Sequence, residues 1–126
     1  MAMTGPGTTD EVCAQAEQLP GAVLEFPFGP EAAVYKVGGK MFALVGVDDP
    51  PGYVTLKADP EEAAALRNQF ESVREGYYMN KRHWITVHFG GDVPGDEVQE
   101  LLEQSYQLVR AALPKRVRDQ LDEPEP

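Results

Sequence analysis

The sequence predicts one α+β domain: a single antiparallel sheet with helices mainly on one face, a two-layer sandwich. Three observations predict it. Apolar, β-branched and aromatic runs follow one another through short Gly- and Pro-bearing turns, the pattern of a meander. Amphipathic helical patterns stand before, between and after these runs. With 126 residues the chain is long enough for one core and too short for two.

Thr8 and Glu11 form a capping-box pair, and Val12, Ala16 and Leu19 recur at helical spacing, so a first helix is expected to run to about Gln18. Pro20-Gly21 turns the chain, and Ala22 to Phe26 reads as a short edge strand before the rigid Pro27-Phe28-Gly29-Pro30. Ala32–Val37 and Lys40–Val47, joined by Gly38-Gly39, make a hairpin. A turn at Asp48–Gly52 leads to Tyr53–Lys57, whose alternation sends Val54 and Leu56 inward and Tyr53, Thr55 and Lys57 outward. Asp59-Pro60-Glu61-Glu62 starts a second helix, with Ala63, Leu66 and Phe70 as its apolar side. Trp84–Phe89 alternates again: Ile85, Val87 and Phe89 inward, Trp84, Thr86 and His88 outward. Pro94 opens the longest helix, whose stripe is Val98, Leu101, Leu102, Ser105, Tyr106, Val109, Ala112 and Leu113. Pro114 ends or kinks it; Lys115–Arg118 adds a basic turn before an acidic tail. The domain is therefore expected over residues 8–121, with residues 1–7 and 122–126 as flexible ends.

A formal charge of -10 makes the chain, on average, repellent to nucleic acid and anionic membrane. The charge is segregated, however. Asp92, Asp96, Glu97, Glu100 and Glu103 crowd one segment, whereas no acid falls between Gly76 and Gly91. A single cysteine, Cys13, excludes an internal disulfide or a multi-cysteine metal site, and no apolar run approaches the roughly 20 residues that span a bilayer. With no signal-peptide pattern either, the expected location is the cytoplasm.

The richest stretch is Tyr77–Phe89, where a basic turn runs directly into the last strand. It holds both histidines and the only tryptophan. Lys40-Met41-Phe42-Ala43, the strand ending Leu56-Lys57, Asn80-Lys81-Arg82-His83-Trp84-Ile85-Thr86-Val87, and Ser105-Tyr106-Gln107-Leu108-Val109 followed by Leu113-Pro114 together resemble the MmcQ/YjbR family. That resemblance covers about Leu19 to Leu121. It implies a frataxin-like (CyaY-like) α+β fold and carries a "double-wing" DNA-binding label.

Two functional readings follow. In the first, Tyr53, Thr55, Lys57, Trp84, Thr86 and His88, with Lys36, lie on an uncovered sheet face where aromatics stack bases and lysines contact phosphates. Arg74, Lys81 and Arg82 stand at its rim, with His83 at the strand entrance beside them, and the hairpin tip beside Lys36 and Lys40 acts as a wing against a DNA backbone. In the second, the same aromatic face binds a protein or small ligand, a second copy of the chain included. Monomer and homodimer both remain open. The bland rival to both is that Trp84 and Tyr53 pack as a cross-strand pair while the cations merely solvate the surface.

No enzymatic activity, cofactor or metal is expected. His83 and His88 are five apart and point to opposite faces of a regular strand, and Cys13 lies on an apolar helix side. The frataxin-like fold raises iron binding by an acidic ridge. Asp96, Glu97, Glu100 and Glu103 match no iron motif, and a solvated helix face accounts for them.

Overall fold

Where the alternating segments fall, strands form. The computed structural model describes residues 9–46, 52–76 and 80–121. Helix α1 (Thr9–Gln18) precedes four strands, β1 (Val23–Glu25), β2 (Ala32–Val37), β3 (Lys40–Gly46) and β4 (Tyr53–Lys57). Helix α2 (Pro60–Gln69) follows, then β5 (Val73–Glu75), β6 (Trp84–His88), α3 (Gly95–Ala111) and α4 (Lys115–Leu121). All neighbours in the sheet are antiparallel, in the order β1-β2-β3-β4-β6-β5. The expected capping residue Thr8, the turn at Asp48–Pro51, Val47, Tyr77–Met79 and the acidic tail lie outside the described residues.

The core forms between the sheet and the helices. Directly paired residues share a face, so Ala43, Leu56 and Ile85 make one row and Val45, Val54, Val87 and Val73 the next. All seven are buried and belong to one apolar cluster with Val98, Leu101, Leu102, Tyr106 and Val109 of α3. Phe42 meets Tyr106 edge-on, with ring centroids 5.3 Å apart. The Tyr106 ring is buried, and its hydroxyl donates to the Pro20 carbonyl. Gln15 of α1 donates to the Gln99 carbonyl of α3 at 2.9 Å, tying the two helices together.

Several local expectations need correction. Residues 73–75 form a strand that the sequence pattern does not reveal, because Val73 is their sole apolar residue. Asp59 caps α2 without a side-chain hydrogen bond; its carbonyl accepts from Ala63 at 2.7 Å instead. Ala112 is exposed, as the residue that ends α3, rather than part of the buried stripe. The segment after Pro114 is a two-turn helix whose Val117 and Leu121 pack on the core.

Gly38 and Gly39 turn the β2–β3 hairpin with φ of 58° and 82°, a conformation open to glycine and strained for other residues. A side chain at Gly38 would collide with Leu113, 2.6 Å away, and with Val117 at 3.1 Å. One side of the hairpin tip is thus seated on the α3–α4 junction. Around Gly39 the space is open.

Candidate functional site

The sheet face away from the helices carries most of the residues singled out in the sequence. Register places Tyr53 opposite His88, Thr55 opposite Thr86, and Lys57 opposite Trp84. Arg74 on the edge strand β5 continues the Thr55–Thr86 row. The cross-strand pair of the bland rival reading does not form, because Trp84 and Tyr53 sit at opposite ends of the β4–β6 ladder. Tyr53 meets His88 instead, with ring centroids 6.0 Å apart. Its ring also lies over Gly46, where an added Cβ would come within 2.2 Å of the phenol.

The centre of this face is closed to solvent. Val34, Leu44, Thr55 and Thr86 form one row across four strands, and all are buried. Thr55 and Thr86, expected in contact with solvent, instead share a hydrogen bond of 2.8 Å. What the face offers is its perimeter: half-buried Tyr53, His88, Lys57 and Trp84, with exposed Arg74.

The cations divide by their partners. Lys36 is bound to Glu25 at 3.0 Å, and Lys81 lies 4.0 Å from Glu75. Such exposed pairs contribute little stability, but each offsets a positive charge that a phosphate would otherwise meet. Lys40, Lys57 and Arg82 have no acidic partner among the described residues. Arg82 and His83 stand in the turn before β6, where the Arg82 amide donates to Asn80 Oδ1 at 2.9 Å and the His83 amide to the Asn80 carbonyl at 3.1 Å. The His83 carbonyl accepts from Ala58 at 2.8 Å, so this turn is fastened to the end of β4.

Two depressions flank the face. One, about 1010 Å³, follows the edge strand β5 and brings Arg67, Arg74 and Lys81 together with Glu71, Glu75 and His88. The other, about 390 Å³, lies between Lys40, Met41, Lys57 and Trp84 on the sheet and Val109, Ala112 and Leu113 at the end of α3. Among the described residues, no acid lines the second one. It gathers residues from all four segments that carry the family resemblance.

A family model described as YjbR matches residues 17–108. The chain belongs to the YjbR family. It is 38% identical over 101 residues to YbdF of Escherichia coli O157:H7, covering 80% of this chain and 83% of that one. It is 33% identical over 111 residues to YjbR of Escherichia coli K12, covering 88% and 94%. Both relatives are named as uncharacterised proteins. The crystal structure of Deinococcus radiodurans protein DR2400, with a DUF419 domain, superposes with a TM-score of 0.88 at 36% identity, covering 97% of this chain and 94% of that one. A Pseudomonas syringae protein gives 0.68 at 26% identity, with 79% and 97% covered. Both structures, at 36% and 26% identity, share the α+β fold with this chain.

Sequence reasoning passed over one surface feature. Val23, Leu24, Phe26 and Phe28 are 52%, 40%, 52% and 71% exposed along and just beyond the other edge strand, β1. Its signal was the apolar Phe26-Pro27-Phe28 run. Elsewhere, burial pushes the Cys13 thiol upward, and burial likewise pushes the neighbouring Tyr35 phenol upward. Asp96, Glu100 and Glu103 are exposed on α3. Among the described residues, no three His, Cys, Asp or Glu side chains are grouped to hold a metal, and no helix is long and apolar enough to cross a membrane.

Proposed function

We propose that this YjbR-family chain is a binding module that takes a nucleic-acid strand along the perimeter of the sheet face opposite its apolar core. The observation that carries the reading is the β4–β6 register, which puts Tyr53 beside His88 and Lys57 beside Trp84 on one surface. Aromatic rings accept the faces of unstacked bases without reading their sequence, and unpaired lysines and arginines follow the phosphates. A single strand suits this surface better than a duplex, since the aromatic residues need bases already splayed apart. The overall charge of -10 opposes any polyanion, so binding is expected to be weak and strongly salt-dependent.

The test is fluorescence anisotropy of labelled single-stranded and duplex DNA at low and physiological salt, comparing wild type with Arg74→Ala/Arg82→Ala. Saturable binding of the single strand that falls with salt and weakens in the double variant is the expected result. No binding at low salt refutes the reading. A second reading, a protein contact, is favoured by the exposed Phe26 and Phe28 beside β1. Contact there would be insensitive to salt and untouched by the arginine variants.

A further inference from the structure

The smaller cleft is a built feature rather than an accident of loops. The β3–β4 ladder starts only at Ala43 and Leu56, although β3 itself runs back to Lys40 along β2. A register shift leaves Phe42 as the extra residue of a bulge, since Tyr35 pairs with Ala43 and Lys36 with Met41. Where the next rung would be, the Ser105 hydroxyl stands between the strands. It donates to the Phe42 carbonyl at 2.6 Å and accepts from the Lys57 amide at 2.8 Å. Beyond that wedge the strands part, and the cleft of about 390 Å³ opens.

Its lining sets the ligand chemistry. The volume lies at the small end of the range for small-molecule sites, which are mostly apolar with a few placed polar groups. Met41, Trp84, Ala112 and Leu113 supply apolar and aromatic wall, and Lys40 and Lys57 supply charge that no acid among the described residues offsets. That combination suits a planar ring bearing an anion. Orientation follows from the helix: the C-terminal end of α3 carries negative partial charge, which repels an anion near Ala112 and leaves the lysine side for it.

We propose that this cleft binds a nucleoside monophosphate, either free or as the end of a strand, with its base against Trp84 and Met41 and its phosphate on Lys40 and Lys57. The choice of a nucleotide over other aromatic anions rests on the nucleic-acid reading above. The cleft itself does not.

Trp84 is the sole tryptophan, so its fluorescence reports on the cleft directly. The full chain is titrated with AMP, adenosine, inorganic phosphate, and a short oligo-dA with or without a 5′-phosphate. Saturable quenching by AMP, at least about tenfold weaker for adenosine and absent for phosphate, is expected. Lys40→Ala/Lys57→Ala should weaken AMP by about tenfold or more. Ala112→Phe, at an exposed position in the cleft lining, should fill the cleft and abolish the response while circular dichroism stays that of wild type. Tighter quenching by the 5′-phosphorylated oligomer than by AMP assigns the site to strand ends; the reverse order assigns it to free nucleotide. Unchanged Trp84 emission with AMP, or AMP quenching retained in Ala112→Phe, overturns the proposal. DNA anisotropy without AMP quenching defeats the cleft and leaves the face; AMP quenching without DNA anisotropy does the opposite.

Discussion

The Ser105 hydroxyl donates to the Phe42 carbonyl at 2.6 Å across a separation of 63 residues. Its oxygen also accepts from the Lys57 amide, so one buried side chain satisfies two backbone groups that the bulge separates. Leaving buried polar groups unpaired costs about 1–3 kcal/mol. Ser105→Ala should therefore lower the unfolding free energy by about that amount in urea titrations. It should also alter AMP quenching if the wedge holds the cleft open. A change below about 0.5 kcal/mol, within the range of ordinary surface substitutions, would show that water or strand closure replaces the hydroxyl.

Asp92 gives the clearest pH dependence. Its carboxylate accepts from the Ser72 amide at 2.9 Å and the Glu71 amide at 2.8 Å, while the Ser72 hydroxyl accepts from the Asp92 amide at 3.0 Å. The Ser72 backbone bond foremost, then the Ser72 side chain and the Glu71 amide, hold this carboxyl below its ordinary value. A depressed folded value means the unfolded chain takes up the proton first. The stabilisation is thus complete above about pH 4–5 and is lost as pH falls through the folded value. Asp92→Asn should flatten the acid limb of the stability–pH curve. An unchanged limb would place the acid sensitivity elsewhere.

Much of the fold is legible in the sequence because its signals are local. The alternation in Tyr53–Lys57 and Trp84–His88 fixes which residues face the helices, and Gly38-Gly39 marks the hairpin. Strand β5 is not legible: Arg74 and Glu75 are polar, and only pairing with β6 makes the segment extended. Nor is the docking of α4, since Val117 and Leu121 are too few to signal an apolar face. The candidate site shows the same division. Its residue types and outward direction can be read locally, but the partners cannot. His88 beside Tyr53, Glu25 beside Lys36 and the closure of Thr55 against Thr86 all depend on register between distant strands.

Cys13 should be a slow nucleophile. The thiol is half-buried beside Tyr35, and desolvation raises its pKa, with the nearby Glu17 and Asp10 carboxylates adding to the rise against the Tyr35 hydrogen bond that lowers it. The thiolate is the reactive form. Alkylation by iodoacetamide at pH 8 should therefore run several-fold slower in the native chain than in urea, and the gap should narrow as pH rises. Equal rates at pH 8 would contradict the assigned environment.

Gly46 and Tyr53 are directly paired, and the tyrosine ring occupies the space that any side chain at Gly46 would need. Since an added Cβ would come within 2.2 Å of the ring, Gly46→Ala must swing Tyr53 outward and break its contact with His88. Crowding of this kind costs about 1–3 kcal/mol. With Tyr53→Ala in the background the obstruction is gone, so the same glycine substitution should then be close to neutral. The two changes should accordingly be non-additive in a double-mutant cycle, with a coupling of about 1 kcal/mol or more. His88 ring protons in an NMR spectrum give the independent readout: ring-current shifts from Tyr53 should collapse in Gly46→Ala. Additive energies with unchanged His88 shifts would show that Tyr53 does not lie across Gly46 in solution.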